Sequence, residues 1–248
     1  MTALEAFALV GFGIVAGFIN VLSAGGSMLT LPLLMFLGLP TQVANGTNRV
    51  AIVLQSVSAV ANFLRAGASY IGLSLRLSIP AVIGSLVGAW LAMQVSDALF
   101  EAILIAVMAG SAVMMLLPQP TLDTRPLTPE RLTLPIYAAM FLIGLYGGFI
   151  QVGVGLLFIV VLHRMLKIDL AQVNVFKVFI ILIYCLPALA LFMWFDQIRW
   201  NYGLLLALGS MTGAWLAVKV NMSPRGAIWI KRFTLAVIVA ILLRLLLG

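Results

Sequence analysis

Charged side chains are scarce in this sequence. Only 8% of the 248 residues are charged, and the seven carboxylates fall at the ends of apolar runs or in loops. No acidic side chain is therefore expected in the middle of an apolar segment, where a proton relay would need one. The alternating polar and apolar pattern that is typical of strands is also missing, so we expect an all-helical protein.

Cysteine and histidine are almost absent. The single cysteine, Cys185, excludes an internal disulfide and a cysteine-based metal site. The single histidine, His163, is predicted to be a loop residue rather than a proton relay. No cluster of His, Cys and carboxylate suggests a metal, and no histidine on a second segment can activate Ser27 as a nucleophile. We therefore predict no metal, no cofactor and no enzymatic activity.

Long apolar segments are what the sequence has in abundance. Hydrophobic residues make up 64% of the chain, and apolar runs of about 17 to 25 residues are long enough to cross a hydrocarbon core of roughly 30 Å. The net charge of +7 comes from Lys and Arg residues in the short loops between these runs. This placement is typical of membrane topology and not of nucleic-acid binding. The sequence predicts a membrane protein surrounded by lipid, with no nucleic-acid partner.

The apolar runs divide the chain into two halves of five elements each. In each half, four predicted helices have spanning length and one is a short half-helix that follows a glycine-rich break. The predicted helices cover 5–22, 27–37, 43–64, 77–95 and 98–117, then 133–152, 156–166, 170–195, 200–219 and 226–247. A proline-rich, charged stretch separates the halves. We predict a first membrane repeat at 1–117, a cytoplasmic linker at 118–132 and a second membrane repeat at 133–248.

The distribution of basic residues favours one topology for these repeats. If each short element turns back as a hairpin, ten basic residues fall on the side of the linker and two on the other side. If each short element completes a broken crossing, the count is six against six. Positive charge accumulates on the cytoplasmic side of a membrane, so the hairpin model is favoured. It places both termini outside and gives each half an odd number of passages, which makes the repeats inverted.

The two glycine-rich breaks repeat each other in sequence. Gly17-Phe18-Ile19-Asn20 recurs as Gly148-Phe149-Ile150-Gln151. Each motif leads into a break, which is Ala24-Gly25-Gly26-Ser27 in the first half and Gly153-Val154-Gly155 in the second. A half-helix that begins inside a membrane presents free N–H groups and the positive end of its dipole, which favour an anion. The alternative is close helix packing through small residues. We predict that the breaks bind substrate, through Asn20, Gly25, Gly26, Ser27, Gln151, Gly153 and Gly155.

A polar face on one helix of each half supplies further candidates. Asn45 and Asn48 recur 129 positions later as Asn174 and Lys177, and Arg49 lies on the same face of the first helix. Polar and charged groups within a membrane usually face a substrate path. We predict that Arg49 and Lys177 neutralise an anion and that the three asparagines donate hydrogen bonds to its oxygens. The alternative is that the two cations extend to the membrane interface.

The motifs that carry these residues resemble those of a known family. The stretch from Gly17 to Ser27, Leu31-Pro32-Leu33-Leu34 and the stretch from Ala44 to Arg49 are similar to one repeat of the sulfite exporter TauE/SafE family of bacterial permeases. The stretch from Gly147 to Gly155 and Asn174-Val175-Phe176-Lys177 resemble its other repeat.

The resemblance implies a transporter. It would be a multi-pass protein of the bacterial inner membrane that moves sulfite, sulfoacetate or related small sulfur-containing anions, usually outward. We expect alternating access at a central site between the repeats. The alternatives are an anion channel, a membrane enzyme and a non-transporting membrane subunit, and a homo-oligomer is compatible with each.

Overall fold

The computed structural model describes residues 2–22, 26–68, 70–116, 128 and 132–223, and all regular structure in these ranges is helical. The first half contains five helices. They are α1 (Ala3–Leu22), α2 (Ser27–Phe36), α3 (Thr41–Arg65), α4 (Ile71–Gln94) and α5 (Asp97–Leu116). The second half contains α6 (Leu134–Phe149), α7 (Val154–Phe158), which continues as a π-helical segment at Ile159–Met165, α8 (Leu170–Trp194) and α9 (Trp200–Asn221).

Four of these helices are long and apolar enough to cross a membrane, namely α1, α4, α8 and α9. Their outward faces carry large apolar side chains; Phe7 in α1 is 78% exposed and Ile79 in α4 is 64% exposed. Such surfaces are typical of contact with lipid rather than water. The prediction of an all-helical membrane protein is confirmed.

The helix boundaries agree with the predicted ones except at two ends. Helix α4 begins at Ile71 rather than 77, because Arg76 lies within the helix instead of preceding it. Helix α6 ends at Phe149 rather than 152, and Ile150 already has an extended backbone with φ −142 and ψ 127. The predicted final helix at 226–247 lies outside the described residues, as does the predicted linker apart from Thr128 and Leu132.

Helix α2 turns back along α1. Gly26, just before α2, lies against Ala16 and the Asn20 side chain. Further along α2, Leu29 and four residues of α1 line a shallow apolar groove, formed on α1 by Ala8, Gly11, Phe12 and Val15. Because Leu29 lies beside residues that precede Ala16, the two helices run in opposite directions. They form a hairpin.

Helices of one half pack closely on helices of the other half. Helix α1 packs on α9 and α4 packs on α6, and these are the two most extensive helix contacts among the described residues. A Cβ atom added at Gly17 would clash with the Ser210 backbone, and one added at Gly148 would clash with the Ser85 backbone. Small residues allow this approach of two backbones, as is common between helices in membranes. Residues of both halves contribute to each of the three hydrophobic clusters among the described residues.

The π-helical segment holds the single histidine. His163 is only 5% exposed, and its Nδ1 lies 2.7 Å from the Ile168 carbonyl oxygen. The expectation that His163 is a loop residue is therefore wrong. The turn that follows this segment folds back over the imidazole, a contact that the sequence position next to Arg164 does not reveal.

Candidate functional site

A small cavity lies where the two breaks meet the middle of α3 and α8. Its volume is about 20 Å³, which is room for about one water molecule. Both breaks and both long helices contribute to its wall, so each half supplies two of the four segments around it. The lining residues are Asn20, Ser27, Ile52, Gln55, Ser56, Gln151, Gly153, Val154, Gly155, Lys177, Val178 and Ile181.

The first break supplies an amide that connects three segments. Asn20 Nδ2 donates to Gln55 Oε1 on α3 at 3.2 Å. Asn20 Oδ1 accepts a hydrogen bond from the Ser27 backbone N–H, also at 3.2 Å. That N–H belongs to the first turn of α2 and has no partner within the helix. Asn20 therefore holds the end of α1, the start of α2 and the middle of α3 together at the cavity.

The second break supplies the corresponding amide, Gln151. Its Nε2 lies 2.9 Å from the Tyr184 hydroxyl, and that hydroxyl lies 3.1 Å from Gln151 Oε1. Tyr184 is the residue 129 positions after Gln55, and Gln151 occupies the place of Asn20 in the repeated motif. Each break thus presents an amide to the same position of a long helix.

The turn into α7 depends on a glycine. Gly153 has φ 70 and ψ 3, a left-handed conformation that favours glycine. A side chain there would also clash with Ser111 Oγ on α5. This turn places the first residues of α7, Val154 and Gly155, on the cavity wall.

Ser56 contributes a hydroxyl without a partner. It is 1% exposed and lines the cavity, and its Oγ has no hydrogen-bond partner among the described residues. An unsatisfied buried polar atom is unusual and needs an explanation. A polar ligand or a water molecule in the cavity would supply the missing hydrogen bond.

Lys177 places a positive charge at the cavity. Its ammonium group is fully buried and donates to the Val21 carbonyl oxygen at 3.1 Å and to Asn174 Oδ1 at 2.9 Å. Asn174 Nδ2 in turn donates to the Leu22 carbonyl oxygen at 3.1 Å. Val21 and Leu22 form the end of α1, whose last carbonyl groups lack partners within the helix. Lys177 and Asn174 together cap α1.

Arg49 and Asn45 cap α6 in a similar way. The Arg49 guanidinium donates to the Gly147 carbonyl oxygen at 3.0 Å and to the Gly148 carbonyl oxygen. Asn45 Nδ2 donates to the Phe149 carbonyl oxygen at 2.9 Å. The guanidinium also lies 4.6 Å from the centre of the Phe192 ring. Both cations are fully buried and bind helix ends from the other half, which argues against extension to the membrane interface.

Asn48 faces α2 rather than the cavity. Its Oδ1 accepts a hydrogen bond from Thr30 Oγ1 at 2.7 Å, and its Nδ2 has no partner among the described residues. Asn45 Oδ1 and Arg49 Nε likewise lack partners there. The polar face of α3 therefore divides into a helix-binding part near Arg49 and a cavity-lining part near Ser56.

The structure brings together about half of the residues that the sequence singled out. The predicted residues that line the cavity are Asn20, Ser27, Gln151, Gly153, Gly155 and Lys177. Gly26 lies next to them against Asn20, and Gly25 lies outside the described residues. The predicted residues that do not line the cavity are Asn45, Asn48, Arg49 and Asn174.

Two polar wall residues, Gln55 and Ser56, are missing from the predicted site. Both belong to the polar face of α3 and were recognisable by their helical spacing. What distinguishes Gln55 and Ser56 from Asn45 and Arg49 is their distance from the start of α3. Ser56 is the sixteenth residue of the 25 in α3, about 22 Å from its start at 1.5 Å per residue.

The family model of the sulfite exporter TauE/SafE family matches residues 9–245. The chain belongs to this family. The match includes both breaks, both cap pairs and the cavity, so the site that they form lies entirely within the part of the chain that family members share.

Curated relatives carry names of the same kind. A protein of Sinorhizobium sp. named probable membrane transporter protein ORF9 is 28% identical over 235 residues, which cover 94% of this chain and 88% of the relative. A probable membrane transporter protein of Haemophilus influenzae is 28% identical over 212 residues, 85% of this chain and 83% of the relative. The probable membrane transporter protein YfcA of Escherichia coli K12 is 26% identical over 211 residues, 84% and 77% respectively. No solved structure gives a significant match.

Proposed function

We propose that this protein exports small sulfur-containing anions, such as sulfite or organosulfonates, across the bacterial inner membrane and binds them in the cavity between the two breaks. The observation that carries the proposal is the charge of the cavity wall. Lys177 lines it, and no carboxylate does so among the described residues. A buried cation together with an unpartnered hydroxyl favours an anion with oxygen acceptors. The family name supports a sulfur-containing anion as the cargo.

A carrier is favoured over a channel. The cavity of about 20 Å³ is too small for an anion of four or more heavy atoms, so binding requires the walls to separate. That property fits alternating access, in which an occluded site opens to one side at a time. A conducting channel would need a continuous path instead.

An inverted repeat is the second structural element of the proposal. The pair Asn20 and Gln55 has its counterpart in Gln151 and Tyr184. The packing of α1 on α9 has its counterpart in that of α6 on α4. Helix α2 turns back along α1, as the hairpin model requires for the first half, which supports an odd number of membrane passages in that half. Two such halves would present the same site to opposite sides of the membrane.

Ligand binding tests the chemical class. Purified protein is screened by thermal unfolding against sulfite, sulfate, thiosulfate, sulfoacetate and carboxylates, because a ligand of the native state raises the unfolding temperature. We expect stabilisation by at least one sulfur-containing anion and its loss in Lys177→Gln. The control is Lys219→Gln, an exposed lysine that stacks on Trp215. If no anion stabilises the wild-type protein, the proposed substrate class is wrong.

Counterflow tests the mode of transport. Proteoliposomes loaded with unlabelled substrate should accumulate labelled substrate transiently, and the rate should saturate with concentration. A channel gives neither result. Non-saturating flux without counterflow would therefore replace the carrier by the channel.

Cysteine labelling tests the orientation. The native Cys185 is buried, so a membrane-impermeant thiol reagent should leave the wild-type protein unmodified. In intact cells whose outer membrane is permeabilised, Asp196→Cys should react, because the loop after α8 is expected outside. Ala66→Cys after α3 and Asp123→Cys in the predicted linker should not react. Asp123 lies outside the described residues, so Ala66 supplies the structurally defined comparison. The reverse labelling pattern would invert the proposed topology.

A further inference from the structure

The two fully buried cations among the described residues, Arg49 and Lys177, have different surroundings, and this difference limits the charge of a ligand. The terminal nitrogens of Arg49 bind the Gly147 and Gly148 carbonyl oxygens, and the residue does not line the cavity. Lys177 also binds a helix end but lies on the cavity wall. Only one of the two cations is therefore positioned to contact an anion directly.

Helix geometry places Arg49 away from the ligand. Arg49 precedes Ser56 by seven residues in α3, which corresponds to about 10 Å along the axis. Its charge faces the carboxyl end of α6, where the helix dipole carries a partial negative charge of roughly half an elementary charge. The guanidinium is thus partly offset by the end of α6 and is not directed at the cavity.

The cavity wall contains one formal charge. Of its twelve lining residues, all within the described part of the chain, Lys177 alone is charged. Residues 23–25, which precede Gly26 and are not described, are Ser, Ala and Gly and carry no charge either. A monoanion beside Lys177 would form a neutral pair. A dianion would leave its second negative charge without a cationic side chain beside it, which is unfavourable in a buried position.

We infer that the cavity selects singly charged oxyanions through Lys177 and that Arg49 is a structural cap rather than a ligand-binding residue. This inference rests on the proposed anion site and names the charge class of its substrate. Of the two ions of sulfite, hydrogensulfite has the charge that such a site favours, and among organosulfonates the monosulfonates do. The hydroxyl of Ser56 and the amides of Asn20 and Gln151 are then the neutral donors that surround the oxygens.

The test uses two probes of nearly equal size and different charge. Methanesulfonate and sulfate share a tetrahedral sulfur, and one methyl group in the first replaces one charged oxygen of the second. Their dissociation constants for the purified full-length protein are measured by titration calorimetry at matched ionic strength. We expect methanesulfonate to bind more than about tenfold tighter than sulfate, because the second charge of sulfate has no partner.

Substitutions at the two cations separate their roles. Lys177→Arg keeps the charge and should keep the preference, whereas Lys177→Gln should lose methanesulfonate binding by more than about tenfold. Arg49→Lys should lower the unfolding temperature while the ratio of the two dissociation constants stays within about twofold. The ratio of the two dissociation constants can be measured for any variant from which folded protein is purified. If Arg49→Lys does not fold, the ratio in Lys177→Arg and the loss of binding in Lys177→Gln still test whether Lys177 recognises the charge.

The outcomes distinguish this inference from the proposed function. If neither probe binds the wild-type protein and no other small anion does, the anion site itself is wrong. If sulfate binds as tightly as methanesulfonate, anion binding stands but the single-charge selectivity is overturned. A ratio that changes markedly in Arg49→Lys, or full binding by Lys177→Gln, assigns the charge recognition to Arg49 and overturns the inference as well.

Discussion

The last carbonyl groups of α1 and of α6 both need hydrogen-bond donors, and a different cation supplies them at each helix end. Both helices end within the protein, so their last carbonyl groups need donors that water in a membrane cannot supply. At α6, Arg49 and Asn45 bind three successive carbonyl groups from Gly147 to Phe149. At α1, Lys177 and Asn174 bind the two carbonyl groups of Val21 and Leu22.

The difference between the two ends lies in what else each cation contacts. Arg49 stacks on Phe192 and binds the end of α6. Lys177 binds the end of α1 and Asn174, and it also lines the cavity. A buried cation near a helix break is therefore not by itself evidence for a ligand site, because capping alone can account for it. Contact with a cavity is the feature that distinguishes Lys177.

Removal of Arg49 should have the largest effect on stability. Arg49→Met leaves the carbonyl groups of Gly147 and Gly148 without donors in a buried position. We expect a loss of about 3 to 5 kcal/mol in the free energy of unfolding, since each unsatisfied buried group costs about 1 to 3 kcal/mol. This loss is measured by unfolding the purified wild-type and variant proteins in mixed detergent. Lys177→Met is the matched comparison; equal losses in both variants would contradict the difference between the two ends.

Small residues on α1 and α6 should give the next largest effect. Gly17→Ala and Gly148→Ala each force a methyl group into the backbone of the neighbouring helix, so we expect a loss of about 1 to 3 kcal/mol. Gly11→Ala is the control, because nothing lies within 4 Å of a Cβ atom there. It should be neutral or slightly stabilising, because alanine favours a helix. Similar stability in all three variants would mean that the close approach of the helices is not needed.

Lys177 should affect stability less than it affects binding. Lys177→Gln keeps a donor near the Val21 carbonyl oxygen and removes the charge, so we expect a loss of only about 1 to 2 kcal/mol in the free energy of unfolding. Anion binding by the same variant should be lost. Parallel unfolding curves with and without ligand measure both quantities. A variant that is severely destabilised yet binds anions normally would make Lys177 a cap of the same kind as Arg49.

Ser56 should give the smallest effect. Its hydroxyl has no partner, so Ser56→Ala should leave the ligand-free protein as stable as the wild type. Anion affinity should fall by about 0.5 to 1.5 kcal/mol, the usual net contribution of one hydrogen bond. The control is Ser78→Ala, which removes a buried hydroxyl that donates to the Ser74 carbonyl oxygen on α4. Unchanged affinity in Ser56→Ala would remove Ser56 from the ligand site.

Much of the fold was predictable because apolar length and glycine-rich breaks are local features of a chain. The positions of α1, α2, α3, α5, α8 and α9 agree with the predicted helices within about two residues. The boundaries that differ depend on contacts. Helix α6 ends early, at Phe149, where the Tyr146 hydroxyl donates to the Val152 carbonyl oxygen and Asn45 Nδ2 donates to that of Phe149. The positions of the membrane repeats at 1–117 and 133–248 stay a prediction.

Composition, apolar length and helical spacing were enough to predict a helical membrane protein in which two breaks recur and each half has one long helix with a polar face. The same pattern singled out Arg49 and Lys177, because a charged side chain is rare on an apolar helix. The partner that each cation contacts could not be predicted, because it lies far away in the chain. Arg49 and Gly147 are 98 residues apart, and Lys177 and Val21 are 156 apart. Helical periodicity gives the direction of a side chain around the axis of its helix. Which helix it faces, and how deep in the protein it lies, follow from packing between segments that are distant in the chain.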